Sequence, residues 1–331
     1  NKNYYFSCED IINYLKKYWI KLKKIKTLIV GLGKVGFEYD KNHIQSSHIL
    51  THSKALKKNK NYKLIGGVDI DKKKRILFSK KYQVKVFNTI KECSNMKIDL
   101  GVISVPAKVQ YSVFKELANL NIKNIICEKP ISINNIDANK IFKISKQKKI
   151  KVIVNFLRRY NPAIIKLKNK LDKGSLGKIL NGYFWYKENL QHGGCHFIDL
   201  ILYLFGMPIY YKVIDSKKNQ SPNIFFKFKE FKIFLFSSPK ANYELGKFEL
   251  QTNSSIIYYE DDKDITILKK KKNKVFVNEN NLVLKEKISY KKNMNIKFVY
   301  ENFNKMIKKS YNNNQLKDAI YNLKLCNFFL R

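Results

Sequence analysis

Thr27-Leu28-Ile29-Val30-Gly31-Leu32-Gly33-Lys34-Val35-Gly36 is the stretch on which the reading of this chain turns. Thr27 to Val30 is a short apolar run that reads as a buried strand, and it ends directly in three glycines spaced G-x-G-x-x-G. Between a strand and a helix, glycines at this spacing have separate tasks. The first permits a tight turn, the second lets a pyrophosphate approach the backbone, and the third lets helix and strand pack closely. The pattern alone is weak, because a glycine turn can be purely structural. The sequence around it gives it weight.

Outward from the loop, strand-like runs recur at 62–69, 84–87, 98–105, 122–127 and 151–156. Helix-length segments lie between several of them, at 53–59, 71–82, 109–120 and 135–148. Alternating helices and continuously apolar strands predict an α/β Rossmann domain with a parallel, doubly wound sheet over 26–156. From 157 to 331 the pattern changes. Helices are expected at 162–173 and 195–205. Strands follow at 210–214, 224–228, 232–236, 247–251, 255–259, 266–268 and 275–277, several alternating apolar and polar residues. Two closing helices, at 293–309 and 316–330, complete an α+β domain with a large, mostly antiparallel open sheet. This second domain is expected to bind substrate and to oligomerise. Residues 1–25 form an N-terminal extension, with an amphipathic helix expected over 9–24. The Lys runs at 72–74 and 269–273 read as solvated turns.

Composition narrows the functional classes. The chain has 331 residues, 44% of them apolar, enough for two domains with a substantial core. The longest apolar stretch, Phe197 to Tyr211, is interrupted by Asp199, Gly206 and Pro208, so no membrane span is expected. The formal net charge is +40. Only Arg75, Arg158, Arg159 and Arg331 are arginine, leaving 66 − 4 = 62 lysines. A dedicated nucleic-acid binder favours the planar Arg fork. A Lys excess alongside abundant Asn, Ile, Tyr and Phe fits A/T-rich codons, so neither nucleic acid nor membrane is expected as a partner. A polyanion-binding protein is the alternative that the charge keeps open. The five cysteines are scattered and form no C-x-x-C pair, which predicts a reducing compartment. With no secretory pattern at the start, a cytoplasmic location is expected.

Asp69 ends the second strand. Its carboxylate can accept hydrogen bonds from an adenosine ribose and would repel a 2′-phosphate, which favours NAD, with NADP still open because Lys72 to Arg75 follow. It stands 69 − 36 = 33 residues beyond the third glycine, more than the usual ~20. The stretch from Glu38 to Thr51 reads as the insertion responsible.

Three further motifs carry a family resemblance: Glu128-Lys129-Pro130 after the fifth strand, Asn155 to Pro162 leaving the first domain, and Gly193-Gly194-Cys195-His196-Phe197-Ile198-Asp199. With Gly31, Gly33 and Gly36 they resemble, in order and spacing, the glucose–fructose oxidoreductase / inositol dehydrogenase / MocA (Gfo/Idh/MocA) family over roughly residues 26 to 330. The resemblance implies an NAD(P)-dependent dehydrogenase or reductase of carbohydrate metabolism, assembled as a homodimer or homotetramer. It implies that Gly31, Leu32, Gly33, Lys34, Val35, Gly36, Asp69, Ser104, Pro106, Glu128 and Lys129 hold the cofactor. Lys129 would lie beside nicotinamide and substrate and polarise the reacting oxygen. His196 would be the acid/base. His192 stands where many members carry Asp, so it joins the catalytic candidates as a departure. Arg158, Arg159, His192, His196 and Asp199 are the substrate-binding candidates, though both arginines can equally pair with carboxylates. Gln110 stands where a His is common. The connection from Tyr183 to His196, the Gly36–Asp40 segment and the Thr51–Ala55 run resemble members acting on sugars for surface-glycan biosynthesis, which implies a nucleotide-linked sugar. His192, Cys195 and His196 also invite a metal reading, but no Glu completes H-E-x-x-H and no metal is expected. A non-catalytic dinucleotide-binding regulator on the same fold is the remaining alternative.

Overall fold

In the computed structural model, residues 24–41, 47–215, 220–243, 245–261, 263–276 and 278–330 are described, with Ser7 and Glu9 beside them. The helix expected over 9–24 lies outside the described residues.

Six strands form the first sheet: β1 (Ile25–Val30), β2 (Tyr62–Val68), β3 (Lys85–Phe87), β4 (Leu100–Ile103), β5 (Asn124–Cys127) and β6 (Lys151–Val154). All pairings are parallel, in the order β3-β2-β1-β4-β5-β6. This is the doubly wound order, with its reversal between β1 and β4. Leu28, Ile29, Val102, Ile125 and Val152 are fully buried because helices cover both faces. These are α1 (His52–Lys58), α2 (Lys72–Tyr82), α3 (Gln110–Asn119) and α4 (Asn135–Gln147). Asp71 caps α2 by accepting from Lys73 N at 2.8 Å, so Lys72–Lys74 open a helix instead of forming a turn.

The glycine loop differs from its sequence reading. No long helix follows it. Phe37 N donates to Gly33 O at 2.8 Å, and the turn then closes into a short 3-10 segment at Glu38–Asp40. The helix resumes after the insertion. His52 N donates to Val35 O at 3.0 Å, and Ser53 N to Gly36 O at 3.1 Å. In an unbroken helix residue 39 would meet Val35 O. His52 takes that place, so 52 − 39 = 13 residues are looped out. Removing them turns the interval of 33 into 33 − 13 = 20, the spacing at which an Asp69-type acid is found. Buried Asp40 pins the base of this loop: its Oδ2 accepts from Leu50 N (2.8 Å), Thr51 N (2.7 Å) and Thr51 Oγ1 (2.9 Å), while Lys54 Nζ lies 3.4 Å from Oδ1.

The second sheet has eight strands, in the order β14-β13-β12-β11-β7-β10-β9-β8. They are β7 (Ile179–Tyr186), β8 (Tyr210–Val213), β9 (Ile224–Lys227), β10 (Lys232–Ser237), β11 (Gly246–Thr252), β12 (Ser255–Glu260), β13 (Ile265–Lys272) and β14 (Asn280–Ile288). Only the β7–β10 pairing is parallel. The inner residues Phe184, Tyr186, Phe248 and Ile233 are buried, whereas Tyr183 and Trp185 face outward. Two expectations fail here. Val275 and Phe276 lie in a turn, and Lys269–Lys272 belong to β13, whose mate β14 runs from Asn280.

Helix α5 (Pro162–Asp172) follows the first sheet, and α6 (Cys195–Phe205) packs its apolar face on β7. The last helices, α7 (Asn295–Ile307) and α8 (Asn314–Phe329), return to the first sheet. Val299, Tyr300 and Phe303 share a core with Ile29 and Leu100. Asn313 and Gln315 bond the edge of β6 through Val152 N (3.0 Å) and Val154 N (2.8 Å), and Gln315 Nε2 returns a bond to Val154 O (2.9 Å). Two amide side chains thus stand in for a seventh strand and close that edge.

Candidate active site

The expected cofactor residues converge at the carboxyl ends of β1, β2, β4 and β5, where a doubly wound sheet opens its crevice. Gly31 has φ +94°, and a Cβ there would lie 2.3 Å from Ser104 O. A Cβ on Gly36 would lie 2.2 Å from Gly31 O. Both positions exclude side chains for packing reasons. Gly33 is different: a Cβ there would project into open space, with Lys74 Nζ at 3.9 Å the nearest group. That open cradle suits a pyrophosphate. The N–H groups of Gly33, Lys34 and Val35 have no partner among the described residues and are available to an anion. Asp69 lies beside the loop, accepting from Leu32 N at 2.7 Å through Oδ2 and from Asp71 N at 2.8 Å through Oδ1. Each oxygen has a second lone pair for a ribose hydroxyl.

The Glu128–Pro130 turn is held from several sides. Glu128 Oε1 accepts from His52 Nε2 (2.9 Å) and Asn155 Nδ2 (2.6 Å). Gln110 Nε2 donates to Glu128 O (2.9 Å) and Pro130 O (3.0 Å). Gln110 Oε1, Asn155 Oδ1 and, across the site, His196 Nδ1 are buried without a hydrogen-bond partner. A polar atom buried without a partner costs about 1–3 kcal/mol and marks a place where a ligand or water supplies one. With the Gly33 cradle, these atoms make a dinucleotide a good fit to the residues present.

Lys129 Nζ donates to His192 O at 3.0 Å, which ties the turn to the π-helical turn Leu190–Gly194 ahead of α6. His196 lies on the first turn of α6, with its ring edge-on to Phe156 at 5.9 Å. Its imidazole is held well below the ordinary His range, first by burial and then by the positive charges of Lys129 and Arg158, with His192 adding to them. It is therefore a neutral base at neutral pH. Exposed His192 reaches this cluster through its backbone carbonyl. Burial pushes the Cys195 thiol up, and Cys195 Sγ donates to Gln191 O, so it is no thiolate.

The two arginines separate. Arg158 Nη2 donates to Asp261 Oδ2 at 2.7 Å, and its guanidinium lies 5.0 Å over Phe197, close enough to act on His196. Arg159 and Asp199 are sealed against each other. Arg159 Nη2 and Nε meet Asp199 Oδ1 and Oδ2 at 2.5 and 2.9 Å, the two residues are 4% and 1% exposed, and Nη1 meets Asp318 at 3.0 Å. This pair presents no group to a substrate, and the unpartnered His196 Nδ1 shows that Asp199 does not orient the imidazole. Asp261 escapes the sequence reading, and Asp40 and His52 enter it only within the Gly36–Asp40 and Thr51–Ala55 runs, with no role of their own. The signal for His52 was present, three helical positions after Gly36, but the looped-out segment hid it.

Residues 25–156 match the model of an oxidoreductase family with an NAD-binding Rossmann fold, GFO_IDH_MocA. Over these residues the chain is similar to the Gfo/Idh/MocA oxidoreductases. Among relatives of that kind, inositol 2-dehydrogenase of Salmonella typhimurium is 30% identical over 30% of each chain. Glucose-6-phosphate 3-dehydrogenase of Bacillus subtilis is 24% identical over 51% of this chain and 54% of its own. The chain spans 36–60% of the length of the first curated relatives it matches. Over nearly the whole chain the likeness is one of fold. An NAD-binding oxidoreductase from Klebsiella pneumoniae superposes with TM-score 0.76 over 92% of this chain and 96% of that one, at 11% identity. Among the described residues no helix is long and apolar enough to cross a membrane.

Proposed function

We propose that this chain is an NAD(P)-dependent oxidoreductase acting on a hydroxyl or carbonyl carbon of a carbohydrate, with Lys129 and His196 as its working groups. The observation that carries the reading is their convergence. The Lys129 ammonium, just after β5, donates to His192 O at the turn ahead of α6 and is near enough to act on the neutral His196 imidazole, while the glycine cradle that fits a pyrophosphate ends β1 of the same parallel sheet. Bound nicotinamide supplies the hydride acceptor in oxidation, or the donor in reduction. In the oxidative direction the Lys129 ammonium stabilises negative charge developing on the substrate oxygen. The hydroxyl proton passes to His196, which is already neutral and so able to take it. In the reductive direction the same imidazole returns it.

The substrate class rests on those relatives that are named inositol 2-dehydrogenase and glucose-6-phosphate 3-dehydrogenase, beside others named only as oxidoreductases, and on the resemblance to members handling nucleotide-linked sugars. Net positive charge favours such anionic substrates. Asp69 beside the loop favours NAD. The reading includes self-association through the outer face of the second sheet. There Tyr183, Phe234 and Phe236 stack in a row, next to a groove of about 690 Å³ lined by Tyr210 and Phe225.

The test is titration with NAD(H) and NADP(H), followed by a screen of sugars and nucleotide sugars at the nicotinamide absorbance band. Turnover lost in Lys129→Ala and His196→Ala, with cofactor binding kept, is the expected result. Full activity in both would refute the assignment. Cofactor binding without turnover of any sugar would leave the regulator reading instead.

A further inference from the structure

We propose that His52 is a positioning residue that acts through Glu128 to hold Lys129 in place; the proposal rests on Lys129 being the polarising group. His52 is fully buried, and both ring nitrogens are engaged: Nε2 with Glu128 Oε1 and Nδ1 with the Tyr300 hydroxyl, each at 2.9 Å. A carboxylate only accepts, so Nε2 carries a proton and donates it. Burial raises the Tyr300 phenol well above its ordinary range, so it keeps its proton. It has no other partner among the described residues, and its O–H therefore points to Nδ1. Tyr300 is itself placed by α7, with Tyr62 Oη donating to its carbonyl at 2.8 Å. An imidazole bonded at both ends in a closed pocket has one orientation.

The target of that orientation is the residue before Lys129. His52 and Asn155 both donate to the same Glu128 oxygen, and Gln110 holds the backbone on either side of Lys129. His52 reaches Glu128 because α1 resumes in phase with the Gly33–Phe37 turn, and Asp40 fixes that phase through Leu50 and Thr51. One buried ring thus links the segment that cradles the cofactor to the segment that carries Lys129. The bonded series Glu128–His52–Tyr300–Tyr62 ends inside the core, so it offers no route for a proton to solvent and its role is to hold.

The experiment compares His52→Asn and His52→Gln in the full chain. The Gln amide nitrogen can replace Nε2 toward Glu128; the Asn amide lies near Nδ1 and cannot reach. Two readouts are taken per folded molecule. The first is kcat and KM with a sugar that the wild type turns over. The second is acetylation of Lys129 by acetic anhydride across pH, resolved by mass spectrometry, which needs no substrate. The Asn variant is expected to lose about 10²-fold in kcat, the cost of a misplaced reacting group, with little change in KM. Its Lys129 acetylation profile is expected to shift, and the Gln variant should recover most of both. A merely structural histidine would lower the melting temperature alike in both and leave kcat and the Lys129 profile unchanged; that outcome overturns the proposal. Where His52→Asn does not fold, Tyr300→Phe, which removes only the hydroxyl at Nδ1, is expected to lower kcat in part. Wild-type kcat and acetylation in that variant would equally overturn it. If the wild type turns over no sugar, the functional reading fails, and the acetylation comparison still decides the role of His52.

Discussion

His196 concentrates the electrostatics of the site in one ring. Burial and two positive neighbours all disfavour imidazolium, so the acid limb of kcat/KM is expected below the ordinary histidine range of about 6.5. Replacing Lys129 with Met removes a positive charge, which makes imidazolium easier to form. The limb should move up in pH while kcat falls about 10²–10⁴-fold, the range for a lost polarising group. An unmoved limb in pH–rate profiles would separate the two residues. The same shift predicts stability. Above about pH 6.5 His196 is neutral both folded and unfolded and contributes no pH dependence. As pH falls, the unfolded chain takes up a proton that the folded site refuses, so stability is lost from about 6.5 down to the depressed folded value. His196→Asn should flatten this slope in thermal melts between about pH 5 and 7. At this scale Lys129 and His196 could be put forward as candidates from the chain alone, because each sits in a short local motif. The closure of Arg159 on Asp199, 40 positions away, was not, because which charges meet is settled by how α6 packs.

The glycine loop and the interrupted helix are the informative elements. Gly33→Ala should fold normally, since its Cβ meets no protein atom closer than 3.9 Å, but should bind NAD(H) much more weakly by fluorescence titration. Gly31→Ala should fail to give a stable fold, because its Cβ would lie 2.3 Å from Ser104 O on a backbone at φ +94°. Equal behaviour of the two would contradict the assigned roles. Asp40→Ala removes a buried charged acceptor of four hydrogen bonds, and a loss of about 3 kcal/mol is expected in urea unfolding. Most strands and helices were readable from period and apolar runs. Of the β13–β14 hairpin, only 266–268 was. Its far end is wet on both faces, so Lys269–Lys272 need not alternate and no period marks the strand. Ile179–Tyr186, the central β7, received no assignment from the sequence reading, although its burial alternates strictly.

For the whole molecule, the outer face of the second sheet is the place where association is expected. Light scattering should show a homodimer or homotetramer for the wild type. Phe234→Asp, placed between Tyr183 and Phe236, should shift the mass toward monomer. An unchanged mass would move the interface elsewhere. The two-part architecture could be read in advance because each part repeats a local signal many times over: apolar strands alternating with helices, then strands with one wet face. Local signals also carried the glycine loop, the Lys129 turn and His196, since each chemical demand falls on neighbouring residues. The pairings that complete the site join distant segments: His52 with Glu128, Arg158 with Asp261, and Asn313 and Gln315 with β6. Buried polar groups must find partners, but the identity of each partner depends on which segments the packed core brings together. That is why candidate groups for the chemistry could be named along the chain, while the framework that surrounds them emerged only once the chain was folded.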